Sequence, residues 1–177
     1  IMAKMNSLAH PEIIEALYKA SRAGVKIQLN IRGICCLRPG VPDLSENITV
    51  TGIVDRFLEH SRVFYFHNGG EERVLISSAD WMPRNLDRRV ELLIPVEDEI
   101  CRKRLTAILE TFFQDTVKAR QLMPDGQQRK IEPTSRKKAV RAQEVFYRQV
   151  CEASRKAEKD RTVVFEPQRP ATSKNTP

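Results

Sequence analysis

This sequence lacks several of the features that assign a chain quickly to a class of protein. No apolar run is long enough to span a membrane, and no signal-peptide pattern opens the chain. The glycine loops of the GxxxxGKS/T and GxGxxG types, which cradle phosphates, are also absent. The four cysteines show no paired CxxC spacing, so they indicate reduced packing thiols rather than a zinc site. Any phosphate group bound here would therefore depend on charged side chains.

Composition and charge indicate one globular domain with an uneven basic excess. The chain has 177 residues, of which 41% are hydrophobic, enough to bury a core. The net charge of +7 arises after residue 115, where 15 Lys and Arg stand against 7 Asp and Glu. A basic segment of this kind attracts a polyanion, nucleic acid or an acidic membrane surface, although a solvated helix face is the commoner explanation.

The start of the chain predicts a strand, a helix and a second strand. Ile1–Asn6 alternates apolar and polar residues, Pro11–Arg22 repeats apolar residues at helical spacing, and Val25–Ile31 is again strand-like. Because the joints between them are short, we expect a βαβ unit with parallel strands and a right-handed crossover. Arg32 would then follow the second strand at its carboxyl end, where ligands of open α/β sheets bind.

A second candidate element is a hairpin that carries histidine and arginine. Val63–Phe66 and Arg73–Ser77 are β-rich runs separated by a glycine turn. His60 and Arg62 lie two residues apart where the first run begins, so a strand there would send both side chains to one face. An imidazole beside guanidinium groups and hydroxyls suits a phosphoryl-transfer pocket. An ordinary hairpin with a charged outer face explains the same spacing equally well.

The remaining segments predict further strands and helices around these two units. A loop is expected at residues 38–47 because of its prolines and glycine, and residues 168–177 are expected to be disordered. The other predicted elements are a strand at Ile48–Thr51, a short helix at Ile53–Glu59, a central strand at Arg89–Pro95, an amphipathic helix at Asp98–Phe113 with Ile100 inward, an edge strand at Thr116–Leu122 and a basic helix at Ser135–Lys156.

Several long segments within the first 120 residues resemble one known family. They are Lys4–Leu8, Pro11–Ile14, Ala23–Ile27, Ile31–Gly40, Phe57–Arg62 and Ser78–Arg89. These segments are similar to the C-terminal catalytic domain of bacterial polyphosphate kinase, and the similarity fades in the tail. The resemblance implies an α/β fold of the phospholipase D-like type, with a mixed, largely central β-sheet flanked by helices.

The resemblance also implies a domain organisation. It places the catalytic core at residues 1–122, a basic helical extension of the same domain at residues 123–167 and the disordered tail at residues 168–177. Further domains of the same polypeptide are expected before this point, which agrees with a strand that is entered midway at Ile1.

The function implied by the resemblance is part of an ATP–polyphosphate phosphotransferase. The family transfers the terminal phosphate of ATP reversibly to a polyphosphate chain through a phosphohistidine, which lies in a preceding domain. His60 would be the second, catalytic histidine, acting in proton transfer and charge stabilisation, and would bind ATP phosphates together with Arg32 and Arg62. The residues expected to line a polyphosphate path are Lys4, Asn6, Arg84, Arg88 and Arg89. Alternatively, Arg88 and Arg89 form ion pairs with Asp80, Asp87 and Glu91.

The implied cofactor is Mg²⁺, which would arrive with ATP and find its ligands mainly outside this chain, with no metal ligand expected within it. The implied partners are ATP or ADP, inorganic polyphosphate, the preceding domains and a second copy in a homo-oligomer, without a specific nucleic acid. The expected location is the cytoplasm, and a peripheral association with the inner membrane face stays open.

Two other classes of function also stay open. His60-x-Arg62 and the small residues after the second run resemble the half-site of the phospholipase D superfamily, so a homodimeric phosphodiesterase or nuclease is one alternative. Arg62 stands where that pattern has lysine, and His67 stands where it has aspartate, which argues against this alternative. The second alternative is a noncatalytic polyanion-binding module, in which the basic tail binds the polyanion and His60 has no role.

Overall fold

A computed structural model describes residues 1–131 and 139–159 of the chain. Its centre is an eight-stranded mixed sheet with helices, which confirms the predicted α/β class. The sheet order is β6-β5-β4-β1-β2-β3-β7-β8. The strands are β1 Met2–Met5, β2 Ile27–Ile31, β3 Ile48–Ile53, β4 Val63–Phe66, β5 Arg73–Ser77, β6 Leu93–Pro95, β7 Ala119–Leu122 and β8 Gln128–Lys130, and the helices are α1 Pro11–Arg22, α2 Pro83–Leu86, α3 Glu99–Phe113 and α4 Ala142–Lys159.

The predicted βαβ unit is confirmed. β1 and β2 pair in parallel with Met2 opposite Gln28, and α1 connects them. The helix begins at Pro11, which needs no amide donor in the first turn, and its last turn carries Lys19 and Arg22 near the negative end of the helix dipole.

The two faces of the sheet bury different side chains because strand residues alternate. On one face, Leu17 of α1 packs in a cluster that includes Met5, Leu29 and Phe64. On the other face, Leu109 of α3 packs against Val63 and Val74 of the hairpin. The helix α3 starts at a capped end, where the Asp98 carboxylate accepts a hydrogen bond from the Cys101 amide at 2.7 Å. The sheet is therefore covered on both sides, as its apolar patterning requires.

The topology brings the ends of five strands to one edge of the sheet. β1, β2 and β3 run in parallel, so their carboxyl ends lie together. β4 is antiparallel to β1, and β5 is antiparallel to β4, so the start of β4 and the end of β5 lie at that same edge. We call this the carboxyl edge. Asn6, Arg32, the segment before Val63 and the segment after Ser77 all meet there.

Four details of the predicted elements are wrong. The segment after Ile53 has no helix, since β3 continues to that residue and the next regular element is β4. The run before Pro95 forms only the short outermost strand β6, which lies exposed, so its apolar character does not mark a central strand. β7 lies between β3 and β8 and is not an edge. Ile100 sits in the first turn of α3 and is 77% exposed.

The last helix, α4, begins later than predicted and contains the boundary between two compact units of the chain. It starts at Ala142 rather than Ser135, and residues 135–138 and the expected disordered tail lie outside the described residues. The chain divides into two compact units, Ile1–Val145 and Phe146–Pro177. The boundaries expected at residues 122 and 167 stay predictions. Within residues 1–131 and 139–159, no helix combines the length and apolar composition needed to cross a bilayer.

One glycine allows two of the parallel strands to approach closely. A Cβ atom added at Gly52 in β3 would lie 2.6 Å from the carbonyl oxygen of Ile31, which is backbone and cannot move aside. Glycine in a strand interior often marks such a contact. The carboxyl edge next to Arg32 therefore depends on the absence of a side chain at Gly52.

We predict that Gly52→Ala lowers the free energy of unfolding of this chain by about 3 kcal/mol, because the new methyl group pushes on the backbone of β2. Gly126→Ala is the matched control, since its φ of +85° is strained for alanine but nothing lies within 4 Å of the added Cβ. Its expected cost is about 1 kcal/mol. Urea denaturation followed by Trp81 fluorescence measures both, and equal losses would contradict the close approach at Gly52.

Candidate active site

A buried carboxylate joins three of the segments at the carboxyl edge. Asp80 is 3% exposed. Its Oδ1 accepts hydrogen bonds from the Asn6 amide at 2.7 Å and from Arg62 Nε at 3.2 Å. Its Oδ2 accepts from Asn6 Nδ2 at 3.4 Å and from Arg62 Nη2 at 3.3 Å. Asp80 therefore ties the end of β1 to the start of β4 through the segment that follows β5.

The electrostatics of this contact keep Asp80 negatively charged. Burial alone would raise its pKa, because it disfavours the charged form. The hydrogen bonds from Arg62 and from the Asn6 amide, together with the positive charge of Arg62, outweigh burial and hold the pKa below its usual value. The ion pair thus fixes the Arg62 guanidinium at the edge, where the Asp80 carboxylate balances its positive charge.

Arg32 lies where the parallel strands predict it, at the carboxyl end of β2. Its Nε donates to Asn6 Oδ1 at 2.8 Å and to the Glu59 carbonyl oxygen at 2.7 Å. The next residue, Gly33, donates its amide to the Asn6 carbonyl at 2.8 Å, and an added Cβ there would lie 2.9 Å from that oxygen. Within the described residues, these hydrogen bonds of Arg32 use only Nε. Its two terminal nitrogens are therefore available to an anion.

His60 is placed by a loop and not by a strand. β4 begins at Val63, so the alternation predicted for His60 and Arg62 does not apply. The His60 residue is exposed, and its carbonyl oxygen accepts a hydrogen bond from Arg62 Nη1 at 3.1 Å. Among the described residues its imidazole has no hydrogen-bond partner. His60 thus lies at the carboxyl edge with its backbone bonded to Arg62 and its side chain exposed.

The two expected polyphosphate-lining residues at the end of β1 lie beneath the edge. The Lys4 side chain is 0% exposed, and its Nζ lies 3.4 Å from Glu59 Oε2 and 5.4 Å from the centre of the Phe112 ring. Burial lowers the pKa of Lys4, and the charge of Glu59 opposes that change. Asn6 is also buried and contacts Asp80 and Arg32. Both residues support the edge from inside.

The other arginines expected on this path lie on the exposed segment after β5. Arg84, Arg88 and Arg89 are all exposed. Asp80, one of the acidic partners considered for Arg88 and Arg89, pairs with Arg62 instead. Asp87 lies 3.1 Å from the imidazole of His10.

Glu91, the remaining acidic partner considered for Arg88 and Arg89, is held by polar side chains of the segment after β5. Its carboxylate accepts hydrogen bonds from Ser78 Oγ and Asn85 Nδ2. These bonds, first from Ser78 and then from Asn85, lower the pKa of Glu91, and the charges of Arg89 and Arg62 add to the effect. Glu91 thus joins the segment after β5 to the strand β6 region on the side of Arg62.

The described residues do not offer a binding site for Mg²⁺. They contain no group of three or more His, Cys, Asp or Glu side chains arranged to hold a metal ion. The carboxylates at the carboxyl edge, Asp80 and Glu59, are engaged by cationic or amide groups. Mg²⁺ requires several oxygen ligands in near-octahedral geometry, so the donor set here does not fit it.

Comparison with known proteins identifies the family of this chain. The sequence profile described as "Polyphosphate kinase C-terminal domain 2" matches residues 1–143. The chain belongs to the polyphosphate kinase family. The polyphosphate kinase of Rhodopirellula baltica is 54% identical over 170 residues, covering 96% of this chain and 20% of that protein. The enzyme of Pseudomonas aeruginosa PAO1 is 55% identical over 134 residues, covering 76% of this chain and 19% of that protein.

A solved structure of a polyphosphate kinase has the same fold. The crystal structure of the Porphyromonas gingivalis enzyme aligns with a TM-score of 0.82 at 46% identity, covering 87% of this chain and 24% of that one. The chain spans about a fifth of the length of the curated polyphosphate kinases that it matches. The similarity therefore describes one domain of a longer type of protein.

We predict that Asp80→Asn lowers the free energy of unfolding by about 2 kcal/mol at neutral pH, because Arg62 loses a charged acceptor. The folded-state pKa of Asp80 is lowered, so its contribution is complete above the usual carboxyl pKa and is lost as the pH falls through the folded value. The difference between Asp80→Asn and the parent chain should therefore narrow below about pH 4. Urea denaturation at several pH values measures it, with Asp43→Asn at an exposed position as the control.

A difference that stays constant down to acid pH would contradict the lowered pKa of Asp80. A loss no larger than that of Asp43→Asn would contradict the role of Asp80 in joining the segments of the edge.

Proposed function

We propose that this chain works as part of an ATP–polyphosphate phosphotransferase, within a longer polyphosphate kinase polypeptide. The observation that supports this most is the placement of the exposed residue His60 at the same edge as Arg32 and Arg62. Their guanidinium groups are held by Asn6, Glu59 and Asp80, with nitrogens of Arg32 left for an anion.

Phosphoryl transfer requires fixed cations, and the carboxyl edge carries two arginines held in place. In phosphoryl transfer, negative charge spreads over the equatorial oxygens while one bond to phosphorus breaks and another forms, so fixed cations near those oxygens lower the barrier. We assign Arg32 to the nucleotide phosphates and Arg62 to a weaker phosphate contact. Both are held in place before substrate arrives, which limits the reorganisation required during the reaction.

His60 is assigned to the transfer itself. In this proposal the terminal phosphoryl group of ATP passes to a histidine in a preceding domain and then to the end of the polyphosphate chain, and both steps are reversible. His60 holds or donates a proton and stabilises charge on the moving group. The exposed ring, without a hydrogen-bond partner among the described residues, is free to meet that group.

Cofactor and partners follow from the same proposal. Mg²⁺ enters with ATP, and its protein ligands come from outside the described residues, because the donor set here does not fit it. ATP or ADP and polyphosphate are the substrates, and Arg84, Arg88 and Arg89 face the polyphosphate chain. The use of ATP supports a cytoplasmic location. The preceding domains, the homo-oligomer and the peripheral association with a membrane stay predictions.

The two alternative functions have less support. A phosphodiesterase or nuclease acting as a homodimer requires the lysine and aspartate pattern from which this chain departs at Arg62 and His67. A noncatalytic polyanion-binding module gives no reason for an arginine and histidine site assembled from several separate segments. The related proteins described above are named polyphosphate kinases, which favours the phosphotransferase.

We predict that His60→Ala in the full-length enzyme cuts turnover by about a hundredfold with little change in ATP affinity, because the imidazole acts mainly in the transition state. Arg32→Ala should weaken ATP binding by about 1.5–3 kcal/mol as well as slow transfer, because it removes a charged hydrogen bond made in the ground state. Steady-state turnover and the ATP dissociation constant of each variant are the measurements.

His67→Ala serves as the control, since His67 is an exposed histidine in the hairpin turn that contacts Tyr65 and Glu72. It should leave both quantities unchanged. Near-normal turnover in a folded His60→Ala enzyme would reduce His60 to a structural role and overturn the proposed function of the edge.

A further inference from the structure

The loop that carries His60 is irregular but is held at several points. Residues 54–62, the His60 loop, contain no helix or strand. Three of the loop's outward residues, Val54, Phe57 and Leu58, are 77%, 52% and 69% exposed. Burial of these apolar side chains therefore does not fix the loop, and its position depends on polar contacts.

The first of these contacts comes from the beginning of α4. Gln143 is 7% exposed, and its side-chain amide makes three hydrogen bonds to the loop. Its Oε1 accepts from the Phe57 amide at 2.8 Å, and its Nε2 donates to the Phe57 carbonyl oxygen at 2.8 Å. The same Nε2 donates to Glu59 Oε1 at 2.8 Å. One side chain thus binds the Phe57 backbone and the carboxylate of Glu59, the residue immediately before His60.

The second contact comes from beneath the sheet. Glu59, next to His60 in sequence, has its other carboxylate oxygen 3.4 Å from the buried ammonium of Lys4. Its carbonyl oxygen accepts the hydrogen bond from Arg32. Glu59 is therefore restrained through its backbone and through both carboxylate oxygens, by groups that lie on β1, after β2 and on α4.

The start of α4 is itself fixed, so it is a firm support for the loop. Asp55 Oδ1 and Oδ2 accept hydrogen bonds from Arg141 at 2.7 and 2.8 Å. The buried Asp115 accepts from the Ala142 amide at 2.7 Å through one oxygen. Its other oxygen accepts from the Lys118 and Ala119 amides at 2.7 and 3.0 Å. Arg141 and Ala142, the two residues before Gln143, are thus tied to the His60 loop and to the start of β7.

We propose that Gln143, together with the buried Lys4–Glu59 pair, positions the imidazole of His60 for phosphoryl transfer. This inference rests on the proposed function of His60. Gln143 is a positioning residue: it touches no reacting atom and acts through the His60 loop. It also gives the first turn of the C-terminal helix a part in the chemistry, which the basic charge of that region did not suggest.

The test uses a double-mutant cycle in the full-length polyphosphate kinase that carries this chain. Gln143→Met keeps the length of the side chain and removes all three hydrogen bonds. We expect turnover to fall by roughly tenfold to a hundredfold, because a displacement of about 1 Å at a reacting group has effects of this size. The ATP dissociation constant should change less than twofold. Gln149→Met, the same substitution at an exposed position of the same helix, is the matched control and should retain parent turnover.

The informative comparison is the same substitution in the His60→Ala enzyme. If Gln143 acts only through His60, adding Gln143→Met to His60→Ala should cause no further loss of turnover. An equal loss in both backgrounds would overturn the positioning role, since it would show an effect that does not pass through His60. A His60→Ala enzyme with normal turnover would instead contradict the proposed function, so the two failures are distinct.

A second variant keeps the inference testable where Gln143→Met fails to fold. Lys4→Met combined with Glu59→Gln removes both buried charges together, which avoids leaving one of them unpaired. The two substitutions together should lower turnover in the parent enzyme but not in the His60→Ala enzyme. Hydrogen exchange at the amides of residues 54–62 should be faster in both sets of variants, and unchanged exchange with unchanged turnover would overturn the inference.

Discussion

A buried lysine ammonium beneath the carboxyl edge is the constraint on which the rest of the site depends. Lys4 lies on the central strand β1 with its side chain fully buried, and an isolated charge at such a position is strongly unfavourable. Glu59 supplies the balancing carboxylate, and it comes from a loop rather than from a neighbouring strand. The need to neutralise Lys4 therefore draws the chain segment next to His60 onto the end of the sheet. Breaking such a pair at one partner typically costs about 3–5 kcal/mol.

Polar contacts from inside the protein also hold the two arginines at this edge. Asp80 holds Arg62, and the Glu59 backbone holds Arg32, in each case through contacts that leave part of the arginine directed away from the core. A buried carboxylate thus fixes Arg62, whereas a backbone carbonyl and the Asn6 side chain fix Arg32. In the proposed function, such an edge receives phosphate oxygens without rearranging its own charges.

The sequence was most informative where a pattern is local. The βαβ unit, the hairpin and α3 were predictable because each repeats its apolar residues at the period of its own structure, and the placement of Arg32 followed from parallel strands. The resemblance to polyphosphate kinase, and not spacing, selected His60. The contacts of Gln143 with Phe57 and of Asp80 with Asn6 join residues 86 and 74 positions apart, and no local pattern reports such pairs. The prediction of a central strand at β6 was wrong because an apolar run does not reveal whether a strand lies at the centre of a sheet or is its outermost strand.

Rescue of the His60→Ala enzyme by free imidazole tests the central claim most directly, because it asks whether the missing group is the imidazole itself. His60 is exposed at the edge, so a small molecule has access to the space left by its side chain. We expect turnover of His60→Ala to rise with imidazole concentration and to saturate, whereas turnover of Arg32→Ala should not respond. An unchanged turnover of His60→Ala across the imidazole titration, with ATP binding intact, would contradict a direct part for His60 in phosphoryl transfer.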